Sequence, residues 1–120
     1  MRAINQTQGN LLCARLTMTH GGFERMRGLL KRAALENDEG MLFEGSRIVP
    51  VMWMHTFFMR FAIDIVFLDR DSKIIKIDHA LGPWRLSSLV FGATQAIELT
   101  AGAARRARAT LNDTVVIESE

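Results

Sequence analysis

The sequence predicts a mainly β fold, a sandwich or a barrel, with one short helix in the N-terminal half and a brief second helical turn. Three observations predict it. Apolar and polar residues alternate along several short segments, β-branched and aromatic residues concentrate in these segments, and Gly, Asn and Asp separate them. Several short strands with little helical periodicity are typical of sandwiches and barrels.

The first predicted elements are a strand and a helix. In "LLCARLTMT", residues 11–19, alternate positions are apolar, which indicates a half-buried strand. The segment "THGGFERMRGLLKRAAL", residues 19–35, then shows apolar residues at helical spacing after Gly21 and Gly22. We expect a short helix here, interrupted at Gly28.

The middle of the chain predicts short β elements and a hairpin. "ENDEG" is typical of a loop, and "MLFEGSRIVP" begins with three apolar residues and turns at Gly45 and Ser46. "AIDIVFLD" and "KIIKIDHA" are rich in strand-forming residues, and the compact turn "RDS" separates them. We expect these two segments to pair as an antiparallel hairpin.

The C-terminal third predicts a loop, two strands and a helical turn. "GPWRLSSLVFG" has mixed periodicity, which favours a loop or irregular crossover. "TQAIELT" predicts a strand, and the last twenty residues predict a brief Ala/Arg helical turn, a turn at Asn112 and Asp113, and the strand "TVVIE".

Length and charge limit the classes of protein. A chain of 120 residues is the size of one domain, and we expect residues 1–120 to form a single domain. The net charge of +2 is small, so nothing in the composition demands nucleic acid. The cluster "RRAR" at 105–108 lacks interleaved aromatic residues and favours a solvated surface.

The sequence also predicts a compartment. The lone cysteine, Cys13, has no internal disulfide partner, which favours a reducing environment. "MRAINQTQGN" does not have the pattern of a signal peptide, and the longest apolar stretch, 48–68, is interrupted by His55, Arg60 and Asp64. We therefore expect a cytoplasmic protein with no membrane span, either a monomer or a weak homodimer.

The run "HTFFMRFAIDIVFLD", residues 55–69, admits two structures. As one unbroken strand it would place Thr56, Arg60 and Asp64 on one face and His55 on the other. If the chain turns within 59–62, the two halves form separate elements and this parity no longer holds. The residues alone do not choose between one strand and two.

Asp64 lies between two isoleucines and is either solvent-facing or buried. A buried carboxylate needs donors, and the candidates are Arg60, Arg27 or a set of backbone N–H groups. An outward or loop-organising aspartate is the commoner case.

No motif predicts a metal, a cofactor or a catalytic residue. His20, His55 and His79 show no ligand spacing, so we expect no metal site. No serine lies in a nucleophile motif, and Cys13 on a strand is most often a small buried hydrophobe. For His55, a backbone-bonded residue at a strand end is the more frequent case.

Trp84 and Arg85 in "PWR" suit a binding surface, because an indole stacks and a guanidinium forms bidentate contacts. Trp84 would equally serve as a cover over the edge of the core, with Arg85 in water.

Several stretches together resemble the DUF192 family, a prokaryotic group of unknown function, from about Leu12 to Glu118. They are "RMRGLLKR", "EGMLF", "HTFFMRFAIDIVFLDRDSKII", "PWR", "AIELTAG" and "NDTVVIE". His55, Thr56, Met59 and Asp64 match the subgroup with His-Thr-x-x-Met followed by Ile-Asp. The family's usual proline and glycine are replaced here by Ala62 and Asn112.

The resemblance implies a compact, jelly-roll-like sandwich with a short helix that bears "RGLLKR", and it implies no reaction. The proline usual in the family supports a chain break near 59–62, which favours two strands over one.

Three functions remain open. The first is a non-enzymatic domain that binds a small ligand, peptide or glycan through loops 55–64 and 83–85; its binding residues would be Arg27, His55, Thr56, Asp64, Trp84 and Arg85. The second is a structural or assembly protein whose motifs serve only the fold. The third is a hydrolase in which His55 and Asp64 act as acid and base. The balance leans away from an enzyme, and the partner would be a small ligand or a protein.

Overall fold

The computed structural model describes residues 1–19, 35–57 and 59–119. Within these ranges the elements, in chain order, are β1 Arg2–Asn5, β2 Asn10–Cys13, β3 Arg15–Thr19, β4 Glu39–Glu44, β5 Val51–Met52, β6 Ile63–Leu68, β7 Ile74–Leu81, β8 Val90–Phe91, β9 Gln95–Thr100, α1 Ala103–Arg106 and β10 Val115–Glu118. The mainly β prediction is confirmed. The helix predicted in 19–35 lies outside the described residues, except at the two ends of that segment.

The strands form three sheets. A five-stranded sheet has the order β3-β4-β9-β6-β7, a three-stranded sheet has the order β10-β1-β2, and β5 pairs with β8. The pairs are antiparallel except β3 with β4, which run parallel. The sheets do not close into a barrel, so a sandwich-like arrangement describes them better.

Both faces of the five-stranded sheet are covered. One face contributes Leu42, Val66, Ile97 and Leu99 to a core shared with the three-stranded sheet and α1. The opposite face contributes Met41, Ile63, Ile65, Phe67 and Ala96 to a second core, which Met52, Met59 and Val90 complete. A strand covered on both sides needs no polar alternation. All six residues of β6 are therefore buried.

The predicted hairpin is confirmed as β6 and β7. The Asp69 carboxylate shapes its turn by accepting hydrogen bonds from the N–H groups of Asp71 (2.9 Å) and Lys73 (3.0 Å). The predicted strands at 94–100 and 114–118 correspond to β9 and β10, and the Ala/Arg turn corresponds to α1. The segment 82–92 is irregular, as predicted, until the two residues of β8.

The single strand predicted over 11–19 is wrong, because the chain changes sheets at Ala14. The N–H groups of Ala14 and Arg15 both donate to the Asp38 carbonyl, at 3.0 and 2.8 Å, where the chain passes from β2 in the three-stranded sheet to β3 in the five-stranded sheet. The polar N-terminal segment also contains a strand that its pattern does not show. It is β1, whose pairing with β10 joins the two ends of the chain.

Residues 55–68 are not one unbroken strand. Only Ile63–Leu68 form β6, and His55 makes a single antiparallel bridge with Leu86. The chain thus turns before β6, as the alternative with a break near 59–62 requires. No helix within the described ranges is long and apolar enough to cross a membrane.

Candidate binding site

Thr56 joins two loops through its backbone and its side chain. Its N–H donates to the Arg85 carbonyl at 2.9 Å, and its own carbonyl accepts from the Trp84 N–H at 3.0 Å. Its hydroxyl donates to the Gly82 carbonyl at 2.6 Å and accepts from the Arg85 N–H at 2.9 Å. Thr56 is fully buried, so these bonds are shielded from water. They fix the 82–85 turn against the loop that precedes β6.

The turn holds Trp84 in an unusual backbone conformation. Its φ is +61°, in the left-handed region that non-glycine residues seldom occupy. The bond from its N–H to Thr56 supports this conformation. The indole is 58 % exposed. The alternative in which Trp84 closes off the core therefore fits less well than the surface alternative.

Three rings form a row on this surface. The His55 imidazole stacks on the Phe57 ring with centroids 4.8 Å apart and an interplanar angle of 24°. The Phe57 ring lies 6.1 Å from the Trp84 ring at an angle of 32°. Aromatic pairs favour such offset or tilted arrangements. The row of His55, Phe57 and Trp84, here called the aromatic row, is a partly exposed apolar platform.

The imidazole of His55 is orientated by its neighbour. Its Nδ1 accepts a hydrogen bond from the Phe57 N–H at 3.2 Å. A neutral imidazole that accepts at Nδ1 carries its proton on Nε2. His55 thus has the backbone bond that the sequence led us to expect, although it lies in a loop rather than at a strand end.

An open depression of about 450 Å³ lies between β7 and the segment 86–88. Its wall includes Leu86, the bridge partner of His55, together with His79 and Ser88. Asp78 fixes this wall, because its carboxylate accepts from the Ser88 N–H at 2.7 Å and from the Ser88 hydroxyl at 2.8 Å. Arg85 is exposed next to Leu86, and its side chain makes no ion pair within the described ranges.

Asp64 does not reach this surface. It is 0 % exposed on the covered strand β6. One oxygen accepts from the Ala80 N–H at 2.8 Å, and the other accepts from the N–H groups of Gly102 and Ala104, each at 3.0 Å. The backbone set, one of the donor sets considered from the sequence, supplies these three hydrogen bonds. Asp64 ties the end of β7 to the start of α1.

His55 and Asp64 are not hydrogen-bonded to each other. Both oxygens of Asp64 are occupied by the backbone, and the Nδ1 of His55 is occupied by Phe57. A hydrolytic acid and base would both have to face a substrate. Asp64 is buried and His55 is exposed, so this arrangement does not favour the hydrolase alternative.

Two further reactive groups are buried. Burial raises the pKa of the Cys13 thiol to about 11, which removes the thiolate that a nucleophile requires. Burial also raises the pKa of Glu98 to about 8. Glu98 was not predicted to be buried; the signal for its burial was its position as the one carboxylate within the apolar strand "AIEL". No three acidic, histidine or cysteine side chains gather as metal ligands in the part of the chain described.

The predicted site residues thus divide into two groups. His55, Trp84 and Arg85 lie on the surface around one turn, while Thr56 and Asp64 are buried and bonded to backbone groups. Arg27 lies outside the described residues. Sequence reasoning missed Phe57, which lies between His55 and Trp84 in the aromatic row.

Comparisons with known proteins agree with this fold. The model of the DUF192 family, described as "Uncharacterized ACR", matches residues 3–117. A "UPF0127 protein" of Thermococcus sibiricus is 27 % identical over 117 residues, which are 98 % of this chain and 75 % of the relative.

Solved structures of the same fold are also found. A protein of unknown function from Novosphingobium aromaticivorans superposes with a TM-score of 0.74 at 22 % identity, over 92 % of this chain and 79 % of that one. A second structure, from Sinorhizobium meliloti, gives a TM-score of 0.67 at 22 % identity, over 84 % of this chain and 78 % of that one. At this identity the likeness concerns the fold.

Proposed function

The chain belongs to the DUF192 family, and we propose that it is a non-enzymatic binding domain for a small ligand that has a flat apolar face and an anionic group. An acidic sugar is the simplest ligand class with both features. The apolar face of the sugar ring would lie on the aromatic row, and its carboxylate would meet Arg85. The loops involved are 55–64 and 83–85.

One observation carries the proposal: the aromatic row is exposed and at the same time held in place. A ring platform on a mobile loop would lose conformational freedom on binding, whereas a fixed platform avoids most of that cost. Thr56 supplies the fixation through the hydrogen bonds of its backbone and its hydroxyl with Gly82, Trp84 and Arg85.

Arg85 supplies the polar half of the recognition. A guanidinium presents several donors in one plane, which suits a carboxylate better than a single ammonium does. Arg27, which the sequence also nominates as a binding residue, would add a second cation. In this scheme Thr56 and Asp64 are positioning residues, because their polar atoms are directed to the protein backbone.

The motif around His55 and Asp64 also suggests a subgroup of the family for this chain. We assign the chain to the subgroup with His-Thr-x-x-Met followed by Ile-Asp, in which His55, Thr56, Met59 and Asp64 occupy the motif positions. We take residues 1–120 as one cytoplasmic domain in a bacterial cell that acts as a monomer or a weak homodimer, without a cofactor or nucleic acid.

The test is a fluorescence titration. Trp53→Phe leaves Trp84 as the sole indole of the chain. We expect trigalacturonate to quench Trp84 in a saturable manner and neutral maltotriose to act much more weakly. Arg85→Gln should weaken trigalacturonate binding by about tenfold, the loss that corresponds to one charged contact, whereas the control Arg105→Gln on α1 should not.

Two outcomes would contradict the proposal. If neither sugar changes the fluorescence, and if His55→Ala and Arg85→Ala alter only stability, the motifs serve the fold alone. If chromatography of the mixture shows monomeric galacturonate released over time, the protein is a hydrolase and the non-enzymatic assignment fails.

A further inference from the structure

Exposed apolar side chains are concentrated in one part of the molecule. Ten large apolar residues are exposed in the described ranges, and eight of them come from 48–53 and 84–91. Six of the eight lie outside the aromatic row and its turn. They are Ile48, Val49, Val51, Trp53, Leu89 and Phe91, and together they are called the apolar ribbon face. Single exposed apolar residues are normal, but a contiguous set marks an interaction surface.

Strand pairing brings the two segments together. Val51 pairs with Phe91 and Met52 pairs with Val90 in the antiparallel ribbon β5–β8. Partners in an antiparallel pair project on the same face. Met52 and Val90 point into the core, so Val51 and Phe91 project on the outer face. Met52 and Val90 thus anchor the ribbon to the core beneath it.

The apolar ribbon face protrudes. Ile48 is 92 % exposed and Phe91 is 73 % exposed. Side chains that line a groove are covered in part by its walls, so exposures this high are typical of a convex tip. The Trp53 indole, 60 % exposed, has its Nε1–H bonded to the Ser87 carbonyl at 3.2 Å. The body of its ring is thereby left as apolar contact surface.

The acidic and basic residues in the two segments that form this face have one sign. The chain has 13 acidic residues, yet none lies in 45–63 or in 79–97. Arg47, Arg60 and Arg85 are exposed in these segments and make no ion pair with any described residue.

The acids that border the two segments are Glu44, Asp64, Asp78 and Glu98. Asp64 and Glu98 are buried, Asp78 is bonded to Ser88, and Glu44, which is exposed, contacts the side chain of Gln95 at 3.4 Å. The surface is therefore apolar at its tip, and the exposed charged side chains that 45–63 and 79–97 contribute are those of the three arginines.

We propose that the apolar ribbon face docks the protein onto an anionic lipid surface. The tip formed by Ile48, Phe91 and their neighbours enters the boundary between headgroups and acyl chains, and Arg47 meets the lipid phosphates. Tryptophan, with its apolar body and polar N–H, is suited to this depth. This attachment is additional to the binding of a small ligand at the aromatic row.

The same observations disfavour two other occupants. In a twofold dimer through this face, the arginines of both copies would meet, and neither 45–63 nor 79–97 would supply an acid between them. An apolar peptide would need a groove, and the tip is convex. The combination of a protruding apolar tip with arginines that make no ion pair among the described residues fits a flat anionic surface best.

Vesicle flotation tests the proposal with the full chain. We expect it to float with vesicles of phosphatidylcholine that contain about one-third phosphatidylglycerol and to stay behind with pure phosphatidylcholine, because the attraction is partly electrostatic. Added salt should weaken binding. Ile48→Ser with Phe91→Ser should reduce binding by about tenfold or more, since two exposed apolar contacts are lost.

A matched control is available in the chain. Leu11 and Leu111 are the other two exposed large apolar residues, so Leu11→Ser with Leu111→Ser changes the same chemistry away from the ribbon. We expect this variant to float like the parent. Equal losses in both double variants would overturn the proposal, as would a parent that does not float with the anionic vesicles.

Two measurements separate this proposal from the other possibilities. Sedimentation measures whether the parent is a dimer and whether the variant with Ile48→Ser and Phe91→Ser is a monomer. If both hold and the parent does not float with the vesicles, the face binds a second copy and lipid docking is overturned. Trigalacturonate titration of the same variant should be unchanged, because neither residue belongs to the aromatic row. The two proposals can therefore fail independently.

Discussion

Each face of the five-stranded sheet buries one carboxylate, and the two carboxylates differ in their hydrogen bonds. Asp64 on β6 pairs with Leu99, and the next residue of β6, Ile65, pairs with Glu98 on β9. The two acids are thus one register position apart on neighbouring strands, and they point to opposite faces. Asp64 is 0 % exposed and Glu98 is 3 % exposed.

Asp64 receives three backbone hydrogen bonds, from Ala80, Gly102 and Ala104. No described residue donates a hydrogen bond to the Glu98 side chain, which lies on the face of the methionine-containing second core. Burial disfavours the charged form, so the pKa of Glu98 rises to about 8. The two acids are thus buried to a similar extent and differ in the hydrogen-bond donors that the described residues offer them.

The largest expected effect comes from removing the satisfied acid. Asp64→Ala would leave three N–H groups without this acceptor at the junction of β7 and α1, and that of Ala104 is fully buried. We expect the free energy of unfolding to fall by about 3–5 kcal/mol, as for other buried charged networks that lose one partner. Urea denaturation followed by circular dichroism measures it.

Asp71→Ala is the matched control, because Asp71 is exposed in the turn between β6 and β7. It should change stability by less than about 0.5 kcal/mol. An Asp64→Ala variant as stable as this control would show that the three backbone bonds contribute little, and the contrast with Glu98 would lose its basis.

The buried carboxyl group of Glu98 predicts a pH dependence of stability. Its pKa is about 8 in the folded protein against 4.5 for the ordinary group. Between these values the folded chain keeps a proton that the unfolded chain has lost, so stability falls as pH rises through this window. The slope would reach about 1.4 kcal/mol per pH unit and vanish above the folded pKa.

Glu98→Gln should flatten this slope and unfold at a higher denaturant concentration than the parent at about pH 8. Glu44→Gln, at an exposed carboxylate, should keep the slope of the parent. If Glu98→Gln and the parent show the same pH profile, the carboxylate of Glu98 is already solvated or paired in solution, and the two faces do not differ as described.

The contrast also shows what the sequence could reveal. The hairpin of β6 and β7 follows from local patterns and from the Asp69 turn, so it could be predicted. The burial of β6 on both faces could not, because it depends on β1, β2, β10 and α1, which are distant in sequence. Glu98 looks like a solvent-facing position for the same reason.

The candidate site was predictable in part. Trp84 and Arg85 in a loop, and His55 before an apolar run, are local signals, and the structure places them around one turn. The backbone acceptors and donors that satisfy Thr56 and Asp64 are far along the chain, at Gly82, Arg85 and Gly102. Their roles follow from packing and could not be deduced from neighbouring residues.

The hydroxyl of Thr56 is a neutral buried group, and its removal should cost less stability than the removal of the Asp64 carboxylate. Thr56→Val keeps the shape of the side chain but removes the hydroxyl that contacts Gly82 and Arg85. We expect a loss of about 1–3 kcal/mol from the two backbone groups left unpaired. Thr17→Val, at an exposed strand position, is the control, and equal stability of the two variants would contradict this role for Thr56.

The smallest effect on stability is expected for Glu118, whose carboxylate is exposed to solvent. Arg2 and Glu118 form an ion pair at 2.8 Å between β1 and β10, and their side chains are 51 % and 42 % exposed. Because water solvates both charges when they are apart, a double-mutant cycle with Arg2→Ala and Glu118→Ala should give a coupling of only about 0.2–1 kcal/mol, lower still in salt. A coupling as large as the loss at Asp64 would mean that surface pairing, and not buried backbone donors, determines what a carboxylate contributes to this fold.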